Sequence, residues 1–217
     1  MLLDIKNVMS KLSEDRPIFH NEADFQFSMA MKIKELYPNH IVRLEYCYRG
    51  MQQNKRSYVD ILVSDGKECA LIELKYKTVE VTINDPITRE EFNLQNHESI
   101  DSGSHAILSD LSRVEQQKGK KLAPYGTVTE GYSILLTNDK HYRNGIGRGY
   151  WVNFGLKDKK EFKKEELIDF NLGGKKKEET CCKNYSPIKL LNDYTLEYEK
   201  FNAEHDYLDM LILQVPK

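Results

Sequence analysis

The feature that most constrains this chain is a pair of short apolar runs, residues 58–63 (Tyr-Val-Asp-Ile-Leu-Val) and 70–76 (Ala-Leu-Ile-Glu-Leu-Lys-Tyr), with Ser-Asp-Gly-Lys at 64–67 between them. Asp-Gly between two alternating β-branched and apolar runs predicts a β-hairpin. A two-residue turn at Asp65 and Gly66 sets Val63 opposite Glu68, Asp60 opposite Leu71 and Tyr58 opposite Glu73. Directly opposed residues share a face, as do residues two apart on one strand. Tyr58, Asp60, Leu62, Leu71, Glu73 and Lys75 then line one face. Val59, Ile61, Val63, Ala70, Ile72 and Leu74 line the other, and all six are apolar. A one-residue slip would drive both carboxylates into the core, so the partition supports the register.

In this register Asp60 and Glu73 are diagonal neighbours with Cα atoms roughly 7–8 Å apart. Their carboxylates can converge on one cation at oxygen distances of about 2.1 Å, the hard-ligand arrangement that Mg²⁺ prefers. Lys75 sits one step further along the face, placed to orient a water or help deprotonate it.

Asp-(x)n-Glu-x-Lys on a hairpin resembles the signature of the PD-(D/E)xK nucleases, the restriction-endonuclease-like fold. Val59 stands where that family frequently has Pro. The resemblance implies a three-layer α/β/α domain with a mixed central sheet starting as a β-meander. It also implies a Mg²⁺-dependent phosphodiesterase acting on DNA, with Mn²⁺ able to substitute and endonuclease favoured over exonuclease. Asp60, Glu73 and the carbonyl of Leu74 would hold the metal, and Lys75 would assist the attacking water. The family often supplies a further acid from its first helix.

Residues 21–37 read as that helix. Asn21 is its N-cap, Asp24 falls in the acid-favouring first turn, and Pro38 closes it. Glu22, Gln26, Met29, Ile33 and Leu36 follow 4-3-4-3 spacing on one face, whereas Asp24, Ser28, Met31 and Glu35 point elsewhere. Glu22 is therefore either a first-turn dipole partner or the family's extra acid and metal ligand, with Gln26 one turn on as a candidate phosphate or nucleic-acid contact. Residues 105–118 predict another helix, with Ile107, Leu111 and Val114 as its apolar stripe and Ala106, Asp110, Arg113 and Gln117 beside it. Arg113 and Gln117 are candidate phosphate or water contacts. Asp110 reads as half of a surface i, i+3 pair with Arg113.

With 217 residues, 40% hydrophobic and 30% charged, the chain has length for one α/β domain. No apolar run reaches membrane-spanning length, and Asp4 and Lys6 interrupt any signal-peptide core in the amphipathic first dozen residues. Cys47, Cys69, Cys181 and Cys182 show no Cys-x₂-Cys spacing, which fits a reduced, cytoplasmic protein without zinc or a disulfide framework. A net charge of −2 gives no global argument for nucleic acid. A local one exists in the loop 49–56, where Arg49, Lys55 and Arg56 occur without an acid. Segment 157–179 holds eight Lys against seven Asp or Glu, mixed signs that read as an exposed surface stretch.

The remaining order predicts a loop or short hairpin at 80–95, a strand at 131–137 returning parallel to the Glu73 strand, and an irregular glycine-rich stretch at 138–149. Further strands are expected at 191–200 and 207–215. His97 and His105 with Asp101 between them keep helical spacing but lack a His-Glu-x-x-His pattern, so surface or cap roles are favoured over a metal. Two alternatives stand beside the nuclease. One is a catalytically silent nucleic-acid-binding or scaffolding subunit of this fold; the other is an ordinary α/β domain whose Glu-x-Lys is coincidence. A homodimer or a place in a larger assembly is compatible with the first two.

Overall fold

Asp4 and Asn21 start the first two helices, each side chain accepting a backbone N–H from the first turn (Asn7 and Asp24) and so satisfying one of the donors a helix start leaves open. In the computed structural model, which describes residues 3–49, 56–97 and 99–216, they open α1 (Ile5–Asp15) and α2 (Glu22–Leu36). Three strands follow, β1 (Ile41–Arg49), β2 (Arg56–Ser64) and β3 (Glu68–Lys77), then a small hairpin of β4 (Val81–Asn84) and β5 (Glu91–Leu94). Helix α3 (Ile100–Glu115), β6 (Lys121–Leu122), β7 (Gly126–Thr137) and the short α4 (Lys140–Asn144) come next. Two-residue strands β8 (Glu161–Phe162), β9 (Leu167–Ile168), β10 (Ile188–Lys189) and β11 (Tyr194–Thr195) lead to β12 (Tyr198–Lys200) and β13 (Asp209–Gln214).

The architecture is mixed α/β, with one seven-stranded central sheet and four α-helices among the described residues. The sheet runs β1-β2-β3-β7-β13-β12, with β6 on β7. Strands β1, β2 and β3 form the expected antiparallel meander, and β7 returns parallel to β3 after α3. Ile61, Val63, Ala70, Ile72, Leu74 and Tyr76 bury one sheet face against α1 and α2, joined by Val8, Met9, Phe25, Met29 and Ile33. Leu62, Leu71, Leu135 and Leu211 bury the other against Ile107, Leu108, Leu111 and Val114 of α3 and the aromatic residues of 150–198. Helix α1 belongs to the first of these cores. No helix among the described residues is long and apolar enough to cross a membrane.

The hairpin departs from the expected two-residue turn. Ser64 pairs with Cys69, Val63 with Ala70 and Leu62 with Leu71, leaving 65–68 as a four-residue loop. The Asp65 carboxylate takes both Lys67 and Glu68 N–H groups at 2.8 Å, and this bond pattern holds the wider loop closed. The register is displaced by two, and an even displacement keeps every side chain on its face. An odd one would expose five buried aliphatic residues, a loss of about 10 kcal/mol and comparable to a domain's whole stability. Val59 is the exception to the predicted partition, since it packs on the α3 side with Leu62 and Leu71.

Other boundaries also moved. Helix α3 starts at Ile100, five residues before the expected start, and so contains Gly103, against which the Tyr142 hydroxyl is packed. The stretch 191–200 splits, Tyr194–Thr195 pairing with β8 and Tyr198–Lys200 with β13. Segment 157–179 exposes its charges but is anchored by Phe162, Ile168 and Phe170 in the core, which corrects the purely exposed reading. Residues 80–95 form a hairpin, and 138–149 includes α4.

Candidate active site

The β2–β3 ladder stops at Ile61 and Ile72, one step short of Asp60 and Glu73. Continuing that register sets Asp60 beside Glu73, which replaces the diagonal relation expected from the tighter turn. Where the ladder ends, the Asp60 side chain takes over as acceptor, and the Leu74 N–H donates to its Oδ2 at 2.5 Å. On the other side, the β1–β2 pairing skips Glu45 and Asp60, and Glu45 adopts a left-handed φ of 49°. The Asp60 carbonyl released there accepts from Gln26 Nε2 at 2.9 Å, and the same amide donates to Glu45 Oε1 at 2.8 Å. The strand is thus locally prised from both neighbours at the residue that carries the carboxylate.

Helix α2 presents Glu22 and Gln26 to the sheet, as the 4-3-4-3 spacing requires. Glu22 Oε2 accepts the Tyr76 N–H at 2.9 Å, and its Oε1 lies 3.8 Å from Lys75 Nζ. Asp24 faces away, gripped by Arg16 and by the His20 N–H. Lys75 Nζ donates to the Leu74 carbonyl at 2.9 Å and pairs with Asp110 Oδ2 at 3.1 Å. From α3, Arg113 Nη2 donates to Glu73 Oε1 at 2.9 Å and to Asp110 Oδ1 at 2.6 Å. Asp110 is therefore a buried member of the cluster and not half of a surface pair. Its spacing held the signal, three residues after Ile107 and four before Val114, inside the stripe that packs on the sheet.

Five carboxylates (Glu22, Glu45, Asp60, Glu73, Asp110) thus meet two cations (Lys75, Arg113). The side chain of Glu73 is 3% exposed, while those of Arg113 and Glu22 are 39% and 42% exposed, so the cluster opens to solvent past these two. Burial above all, then the Asp110 charge, pushes Glu73 up to about 9 against the pull of Arg113. Burial also raises Asp60, against the Leu74 N–H and Lys75, which favour its charge. Burial alone would lower Lys75, but Asp110, Glu22 and Asp60 outweigh it and hold the amine at about 12. Lys75 is therefore an ammonium near neutral pH, a donor that orients rather than a base that accepts. Tyr48 of β1 lies within reach of these charges, its phenol raised to about 12, mainly by burial.

Among the described residues no group of three or more His, Cys, Asp or Glu comes together as a ready-made metal site. The donor chemistry nonetheless suits a hard cation. Each group of the expected set already holds a positively polarised partner: Glu73 Oε1 has Arg113, Asp60 Oδ2 has the Leu74 N–H, and the Leu74 carbonyl has Lys75. Carboxylates raised by burial and by one another gain most from a divalent cation.

The other predicted contacts fall outside this group. Gln117 lies beyond the end of α3, buried, with Lys120 Nζ at 3.5 Å from its amide oxygen, and it makes no described contact with the cluster. Arg56 opens β2 as an exposed residue, and Lys55 and the side chain of Arg49 lie outside the described residues. His97 precedes α3 and accepts the Thr78 N–H, whereas His105 is packed among Trp151, Phe154, Phe170 and Tyr185, so their helical spacing has no common site. Sequence reasoning missed Glu45 and Tyr48. No pattern marks Glu45, whose place depends on a backbone irregularity. No family model matches this chain, and no curated protein or solved structure matches it either.

Proposed function

We propose that the chain is a divalent-metal-dependent phosphodiesterase with a restriction-endonuclease-like α/β/α layering, acting on DNA as an endonuclease. The observation that carries this reading is the convergence of Asp60, Glu73, Lys75 and Glu22, from three elements, at the point where β2 leaves both its neighbours. Asp60, Glu73 and the Leu74 carbonyl would hold Mg²⁺ or Mn²⁺, with Glu22 as a further ligand. Bound there, the ion would polarise a phosphoryl oxygen and acidify a water.

The chain's own groups supply the rest. Lys75, charged and fixed by Asp110 and Leu74, orients the attacking water and offsets the charge that builds on phosphorus. Gln26 holds the Asp60 backbone out of the sheet. Arg113, the more exposed cation, can exchange the Glu73 carboxyl for a phosphate oxygen. The choice of DNA follows from the family resemblance; the same chemistry would serve RNA.

A catalytically silent nucleic-acid-binding or scaffolding subunit is favoured by one observation, that Glu73, Asp60 and the Leu74 carbonyl each already have an internal partner. Incubation of supercoiled plasmid and of a single-stranded oligonucleotide with Mg²⁺ or Mn²⁺, beside an Asp60→Ala control, separates the two. Metal-dependent nicking absent from the control is the expected result. Intact substrates with either metal would reject the phosphodiesterase.

A further inference from the structure

Among the described residues, two hydrogen-bond donors at the edge of the cluster have no acceptor. The Tyr48 hydroxyl, in a residue only 5% exposed, and the Arg113 Nε–H are both buried without a partner among the described residues. They sense the same surroundings: the Arg113 charge pulls the Tyr48 phenol down, while Glu73 and Asp110 push it up. A buried donor left unpaired costs about 1–3 kcal/mol, so two in one place require a reason. Of the other buried orphan atoms, Ser104 Oγ lies on α3 and Tyr142 Oη is packed against Gly103.

The chemistry of the missing partner follows from the donors. A phenol, with an ordinary pKa of about 10, stays protonated near neutral pH, and a guanidinium has no acceptor atom at all. A cation would be repelled by Arg113, and a neutral carbonyl would bring no negative charge to the guanidinium, which keeps only Asp110 once it turns from Glu73. An anionic oxygen with several lone pairs satisfies both, and the cluster opens to solvent on the Arg113 side.

We propose that the Tyr48 hydroxyl and the Arg113 guanidinium form the seat for a non-bridging oxygen of the phosphodiester, making Tyr48 a substrate-binding residue contributed by β1. This rests on the phosphodiesterase reading and adds to it a residue that no motif marks. When the phosphate arrives, Arg113 trades the Glu73 carboxyl for a phosphoryl oxygen. Glu73 is thereby freed, and both orphan donors gain an acceptor. In the free protein the same hydroxyl is idle.

Tyr48→Phe removes that one oxygen and leaves the ring in the core. The free variant should melt at or above the wild-type temperature, because a buried unpaired group is gone. Its affinity for a labelled oligonucleotide, measured by fluorescence anisotropy in Ca²⁺ without turnover, and its kcat/KM in Mg²⁺ should each fall about tenfold. Arg113→Lys, which keeps the charge and loses Nε, should lose affinity as well. Wild-type binding and cleavage by Tyr48→Phe would overturn the proposal while leaving the nuclease standing, and so would a variant melting several degrees lower. A wild-type protein that neither binds nor cleaves would remove both together.

Discussion

Two acids two residues apart on α2 have opposite duties. Glu22 meets the Tyr76 N–H and Lys75, while Asp24 takes both Nη atoms of Arg16 at 2.9 and 3.0 Å. Glu22→Gln keeps an acceptor for Tyr76 but removes a cluster charge, so stability should hold while metal-dependent cleavage drops about tenfold or more. Asp24→Asn should leave cleavage alone and cost about 1–3 kcal/mol in chemical denaturation. That exceeds the 0.3–1 kcal/mol of a simple helix-dipole partner, the role its first-turn position suggests. A silent Glu22→Gln beside an inactive Asp24→Asn would reverse the assignment. For Lys75, an ammonium held by Asp110 predicts that Lys75→Arg keeps part of the rate and Lys75→Met almost none, read in single-turnover cleavage. Equal loss in both would restore it as a base. Helical spacing alone was enough to orient Glu22 and Asp24. The ion pair of Asp24 was not legible, because its partner Arg16 lies beyond the helix.

At the level of elements, the hairpin was readable as a hairpin and its faces as faces, because alternation is local. Its loop length was not. The four-residue loop is set by the Asp65 side chain and by β7, which meets it from 60 residues downstream: Thr127 N–H donates to the Lys67 carbonyl at 2.9 Å, and Ser64 Oγ donates to the Tyr125 carbonyl. Gly126 makes that approach possible. Its φ is +109°, and a Cβ there would lie 2.1 Å from the Lys67 carbonyl oxygen. Gly66, in the loop itself, has φ +92° and open space around it. Gly126→Ala should therefore cost about 3 kcal/mol or more and Gly66→Ala about 1 kcal/mol, compared by denaturant midpoints. Equal costs would mean that backbone conformation alone, and not the contact with β7, governs the site. The break beside Asp60 was likewise hidden, since it arises where β1, β3 and α2 compete for one stretch of backbone.

For the molecule as a whole, the order of elements and the parallel return of β7 followed from run lengths, whereas the four short strands of 161–195 did not. Their core anchors, Phe162, Ile168 and Phe170, are scattered among charges that dominate any local reading. The closed pattern of acids and cations also sets the pH response. Burial pushes Glu73 up to about 9 in the folded protein from an ordinary value near 4.5, so the native state binds more protons in between, and stability falls as pH rises. Asp60 is raised in the same sense. His97 and His105 are lowered and oppose this only below about 6.5, and Lys160, lowered to about 8, opposes it only above that value. Between pH 6.5 and 8 the free protein should therefore lose stability, and Glu73→Gln should flatten the slope; an unchanged slope would place Glu73 in its ionised pair with Arg113 throughout. The central claim is that Asp60 and Glu73 jointly hold a divalent cation, and calorimetric titration of Mn²⁺ tests it most directly. A saturable one-to-one heat in the wild type that disappears in both Asp60→Asn and Glu73→Gln, with each variant still folded, is the predicted result. Isotherms shared by wild type and variants, or no heat in any of them, would contradict it.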